Sequence, residues 1–186
     1  DYSLHMKMFE FFKRRYPGVK LSLHAGELVL GMVPPEGLRH HIREAVLVAG
    51  ADRIGHGIDI AHETDAPQLL NIMKQKKVAV EVNLTSNEFI LGVKNEAHPV
   101  RLYARHAVPF VISTDDPGVS RNNLSGEYLL YTSRYKPSYD DLKQVVYNSI
   151  RYSFLSKNEK AEEITKLDKR FARFEARIAS LPPQAR

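Results

Sequence analysis

His24-Ala25-Gly26-Glu27 sets a metal-ligand residue type and an acid–base residue type three positions apart. Gly26 between them lets the backbone turn. Three further polar clusters follow along the chain: Arg53-Ile54-Gly55-His56-Gly57, Glu81-Val82-Asn83-Leu84-Thr85-Ser86-Asn87 and Ser113-Thr114-Asp115-Asp116-Pro117. Imidazoles and carboxylates brought together in this way can bind a metal ion and move protons. Asp115 and Asp116 could belong to a turn, since Asp and Pro initiate turns. Two adjacent carboxylates after a buried run are costly without a cation, which favours a site.

The chemistry depends on what positions these clusters. The first closes the alternating run Val19-Lys20-Leu21-Ser22-Leu23, which reads as a strand. The others follow Ala51-Asp52, Val78-Ala79-Val80 and Val108-Pro109-Phe110-Val111-Ile112, short runs of the kind that form buried strands. Apolar residues at helical spacing predict helices over Glu36–Ala49, Pro67–Lys76 and Pro99–Ala107 between them. Alternating strands and helices imply parallel βα units, whose strands share one carboxyl-end face where sites are built. All four clusters are therefore expected on one rim. His56 lies between glycines, as if the backbone there passes close to something bulky.

Bulk properties exclude several functions. Among 186 residues, 27 basic and 22 acidic side chains leave a net charge of +5, with the charges interleaved along solvated helix faces. That balance and the absence of a binding motif argue against a nucleic-acid partner. No apolar run is long enough to cross a membrane. No cysteine is present, so disulfides, cysteine–zinc sites and thiol nucleophiles are excluded. Lack of cysteine suits oxidising and reducing compartments alike.

The last third reads as two amphipathic helices, Tyr139–Phe154 and Asn158–Ser180, with Leu181-Pro182-Pro183 as the stop. They are expected to pack outside the sheet. Four βα units are too few to close a parallel barrel, which needs eight. A helix over Tyr2–Tyr16 leads into the first strand, as a cut through an alternating fold would leave it. The expected fold class is α/β: the C-terminal half of a (β/α)₈ TIM barrel. Residues 1–186 form one partial domain in this reading, with C-terminal helices over 138–180.

The ordered motifs His24-Ala25-Gly26-Glu27, Arg53-Ile54-Gly55-His56-Gly57 and Ser113-Thr114-Asp115-Asp116-Pro117 resemble the second half of the adenosine deaminase family. Glu81–Asn87 resembles that family's fourth motif, with Asn83-Leu84 where members often carry Cys-Pro. The resemblance implies a zinc-dependent hydrolase that converts adenosine or deoxyadenosine to the inosine product and ammonia. It implies His24 and Asp115 as metal ligands for Zn2+. It implies catalytic roles for Glu27, as proton donor to purine N1, and for His56, which orients and deprotonates the water that zinc activates. It makes Gly26 and Asp116 substrate-binding, Asp116 at purine N7. Glu27 must then be protonated at working pH, with its pKa raised by burial beside the purine.

The family's other two zinc ligands, a His-x-His pair, have no counterpart here. His40-His41 falls within a predicted helix and has no residue between its members. The resemblance therefore implies a partner, the N-terminal half of the same barrel, alongside a small purine nucleoside. The long stretch Leu28–Glu36 resembles the growth-factor-type branch, which leaves the compartment open between cytoplasmic and periplasmic or secreted. Alternatives are an adenine or AMP deaminase, and an inactive half-domain or signalling fragment. Zinc deaminases of the Pro-Cys-x-x-Cys type are excluded by the lack of cysteine. His62-Glu63 lacks the second histidine of a protease helix, because Ala66 stands there. Gly55-x-Gly57 lacks the third glycine of a dinucleotide fingerprint, because Ile60 stands there.

Remaining residues carry blander expectations. His5, His40, His41, His62, His98 and His106 are read as surface or packing residues. Ser86 and Asn87 are expected to tie down the rim by hydrogen bonds. Asn83-Leu84-Thr85 and Asn123-Leu124-Ser125 match a glycosylation pattern that is common by chance. Asn83 would face the rim, against that use.

Overall fold

The computed structural model describes residues 1–182. Its elements run α1 (Tyr2–Arg15), β1 (Ser22–Ala25), a 3₁₀ turn (Pro35–Leu38), α2 (His41–Leu47), β2 (Arg53–His56) and a 3₁₀ turn (Ile58–His62). Then come α3 (Ala66–Lys76), β3 (Ala79–Val82), α4 (Leu84–Leu91), a 3₁₀ turn (Asn95–Ala97), α5 (Val100–Arg105) and β4 (Phe110–Ile112). The chain continues through α6 (Pro117–Ser120), α7 (Leu124–Tyr135), α8 (Tyr139–Arg151) and α9 (Lys157–Ala179). Of the expected stop Leu181-Pro182-Pro183, Pro183 lies outside the described residues.

The four strands form one parallel sheet in the order β1-β2-β3-β4, the order of the chain. Each crossover therefore steps to the next strand in the same direction. Right-handed crossovers of that kind stack their helices on one side of the sheet, the winding of a barrel rather than of a doubly wound sheet. Register carries the clusters to a common height. His24 lies opposite Gly55, Ala25 opposite His56, Gly55 opposite Glu81, and Glu81 opposite Val111.

One face of each strand makes the core. Leu23, Ile54, Val80, Val82, Phe110 and Ile112 pack with Ile42, Val46, Leu69, Met73 and Tyr103. The other face is polar. Ser22 Oγ donates to Glu81 at 2.6 Å, and Arg53 pairs with Glu81 at 2.7 Å. Arg53 also donates to the Tyr152 carbonyl at 3.3 Å and stacks over Phe154. This ion-paired layer forms a floor one pleat below His24.

Several boundaries differ from expectation. The helix expected over Glu36–Ala49 is a 3₁₀ turn followed by α2, broken at Arg39–His40. The start of α2 is capped from a distance: Glu63 accepts from the Ile42 and Arg43 amides at 2.5 and 3.2 Å. The first strand starts at Ser22 rather than Val19, because Asp52 takes the Leu21 amide at 3.0 Å together with Lys13 and Lys20. The fourth motif runs directly into a helix with no counterpart in the sequence reading, α4, which starts after Asn83.

Candidate active site

The carboxyl ends of the strands bring the motif residues together. Ligand atoms of His24, Glu27 and His56 lie within 4.8 Å of one another. The His24 and His56 rings are 4.9 Å apart between centroids. His56 Nε2 is 3.5 Å from Glu27 Oε2 and 3.9 Å from Asp115 Oδ2. His56 is therefore the hub, with His24, Glu27 and Asp115 around it. Asp116, next in the chain, is exposed at the rim and makes no cap bond with its side chain.

Unusual backbone geometry aims these groups. His56 has φ 69° and Asp115 φ 56°, both in the left-handed region that non-glycine residues rarely occupy. Such residues persist where surrounding structure over-determines them, and they concentrate at functional sites. Gly26, at φ 70°, accepts from the Ile58 and Asp59 amides at 2.8 and 3.1 Å, stitching the first motif to the second. The bulky neighbour expected near His56 is Tyr103, whose hydroxyl donates to the Gly57 carbonyl at 2.6 Å.

His56 is 1% exposed. Its Nδ1 is met by the amide groups of Asn87 at 2.9 Å and Asn83 at 3.4 Å. Its Nε2 is buried without a hydrogen-bond partner. Burial holds the imidazole below its ordinary pKa, while Glu27 and Asp115 pull the other way. One further imidazole and two carboxylates around the orphaned, buried Nε2 of His56 fit the donor chemistry of a metal centre that keeps an open position. Asn83 is buried beside His56, which rules out use of its side chain for a surface glycan.

Some contributors were not evident from residue type. Glu127 on α7 is fully buried. It accepts from the Thr85 amide at 3.2 Å, from the Thr85 hydroxyl and from Asn122 Nδ2 at 2.9 Å. Asn122 also donates to the Thr114 carbonyl at 3.0 Å, so Glu127 ties the Asp115 loop to the start of α4. The signal for α7 was Asn123, which caps it by accepting from the Gly126 amide at 2.9 Å. Asp59 is 1% exposed, with neither carboxylate oxygen hydrogen-bonded. Burial, reinforced by Glu63, pushes it up to about 8.

Of the two expectations for His98, surface or packing, packing holds: it is 2% exposed, and it is also hydrogen-bonded to Asn87. Burial, then Arg134 and His56, hold it down to about 4. A depressed folded-state pKa stabilises the fold fully above the ordinary 6.5 and loses that contribution as pH falls toward 4. The loss approaches roughly 3 kcal/mol. Denaturant titrations across this window should show it in the native protein and not in His98→Gln.

The singly wound parallel sheet, with imidazoles and carboxylates on its carboxyl rim, has the architecture of half a TIM barrel, whose sites are built at that rim. Solved structures agree on the fold. An amidohydrolase from Burkholderia ambifaria with bound Zn superposes with a TM-score of 0.76 at 24% identity, over 94% of this chain and 47% of that one. An adenine deaminase from Arthrobacter aurescens gives 0.72 at 24% identity, over 90% and 49%. In sequence, the adenosine deaminase of Enterococcus faecalis is 34% identical over 154 residues, which is 82% of this chain and 42% of that protein. A family model described as adenosine deaminase matches residues 2–170. The chain belongs to the adenosine deaminase family. It spans less than half the length of the curated relatives it matches.

Proposed function

We propose that this chain supplies the carboxyl half of a zinc-dependent site that hydrolyses adenosine and deoxyadenosine to inosine or deoxyinosine and ammonia. The observation that carries the reading is the convergence of His24, Glu27 and Asp115 on the orphaned Nε2 of His56. His24 and Asp115 would hold the zinc, whose chemistry when bound is to make water a competent nucleophile at neutral pH. Glu27, a quarter exposed at the mouth, gives its proton to purine N1 and makes C6 electrophilic. His56 faces the attacking oxygen through Nε2. Asp116 at the outer rim takes the N7 edge, and Gly26 meets the ring through its backbone beside Glu27. Water's oxygen enters at C6; of its two protons one leaves with the amino group as ammonia, and the other restores the proton that Glu27 gave to N1.

The N-terminal half of the barrel is part of this proposal. Strands β1 and β4 are the unpaired edges of the sheet, and a parallel barrel closes with eight strands. A panel of adenosine, deoxyadenosine, adenine and AMP, followed by ultraviolet absorbance on the full-length protein, tests the substrate. The highest kcat/KM should fall on the two nucleosides. A preference for adenine or AMP would overturn that choice.

A further inference from the structure

The tautomer of His56 decides whether its Nε2 gives or takes a hydrogen bond in the site. Here the chain of contacts behind His56 ends on a group that has no choice. The Val100 amide donates to His98 Nδ1 at 3.1 Å, and a backbone N–H can only donate. His98 Nδ1 is therefore unprotonated, and in the neutral ring the proton sits on Nε2. That nitrogen lies 3.2 Å from Asn87 Oδ1, so His98 donates and the amide oxygen accepts. The Asn87 amide orientation follows: its NH₂ donates to His56 Nδ1 at 2.9 Å. Asn83 Nδ2 approaches the same nitrogen at 3.4 Å, also as a donor. Nδ1 of His56 accepts, so the proton of the neutral ring lies on Nε2, the atom without a partner.

We infer that His98 and Asn87 are positioning residues, forming a one-way relay from the Val100 amide that locks His56 as the Nε2–H tautomer pointing into the site. The inference rests on the proposed deaminase reading for its consequence. A neutral Nε2–H has no lone pair to take the water's proton. His56 then serves by donating to the attacking oxygen and steadying the negative charge that develops there, rather than as the base suggested by family resemblance. The relay also explains why His98-Pro99 stands at the start of α5. The helix leaves its Val100 amide uncovered by a helical partner, and the His98 ring uses it as an anchor.

A histidine that merely fills space would leave His56's protons unaffected. The test is nitrogen NMR of ¹⁵N-histidine-labelled, zinc-loaded full-length protein, with the His56 signals assigned by a His56→Gln control. The wild type should show an unprotonated Nδ1 and a protonated Nε2. Asn87→Asp replaces the donor by an acceptor and should invert the pattern, placing the proton on Nδ1. His98→Leu should give mixed tautomers and a kcat lower by about 10- to 100-fold at near-constant KM. His98→Gln, which can donate to Asn87 and accept from Val100, should restore both. A wild-type His56 protonated on Nδ1, or an Asn87→Asp protein with an unchanged His56 tautomer, would overturn the relay. The NMR readout needs no substrate. A correct tautomer in a protein that turns over no aminopurine would leave the relay standing and reject the proposed function instead.

Discussion

Glu27→Gln in the full-length protein should lower kcat for adenosine by about 10²- to 10⁴-fold while zinc stays bound. Both halves of that expectation matter, because the geometry permits two uses of Glu27. Its carboxylate lies within ligand reach of His24 and His56, whereas Asp115 stands 3.9 Å from His56 and outside that close group. If Glu27 is the acid for purine N1, glutamine keeps the shape, removes the transferable proton and spares the metal. If Glu27 is instead a ligand, the same substitution strips zinc together with activity. Asp115→Asn should do the reverse and cost zinc first. Metal analysis and steady-state kinetics on the two variants distinguish the roles, and zinc-free Glu27→Gln protein would contradict the assignment.

Gly26→Ala should destabilise the fold by about 2–5 kcal/mol, the sum of a left-handed residue that acquires a side chain and an overpacked neighbourhood. The backbone at Gly26 has φ 70°. An added methyl would collide with the Asp59 carboxylate and lie 2.8 Å from Ile42 Cδ1. Neither neighbour can yield easily: Asp59 and Ile42 are both buried, and Ile42 begins the core face of α2. Because Gly26 also stitches the two motifs, the loss should appear in urea midpoint and zinc affinity together. An alanine variant with native midpoint and native zinc binding would show that the turn is softer than described.

Residues that terminate strands were legible because two signals coincided there. His24, His56 and Asp115 each sit at or just after the end of a strand, where side-chain alternation gives way to a turn. The parallel order was legible for a similar reason, since strands separated by helical spacing can pair in few other ways. Tertiary capping was not legible. The start of α2 depends on Glu63, 21 residues away, and no local pattern could break the helix expected over Glu36–Ala49. Helix α4 escaped because polar Ser86 and Asn87 are buried while apolar Phe89 and Ile90 are exposed, which erases the one-sided stripe that marks a surface helix. The hydrogen bonds that link His98 through Asn87 to His56 were not legible, because these partners lie far apart in the chain. Eleven residues separate His98 from Asn87 and 31 separate Asn87 from His56.

The proposed split of the site between two barrel halves is the central claim, and it is tested most directly by zinc stoichiometry measured with adenosine turnover. Both should be measured on this chain alone and on the chain combined with the barrel half that carries the first strands. The account predicts about one tightly held zinc and turnover in the combined sample, with neither in the chain alone. Turnover by the chain alone would show that four strands suffice. A combined, folded sample without zinc and without turnover would contradict the assignment of His24, Glu27, His56 and Asp115 to a deaminase centre.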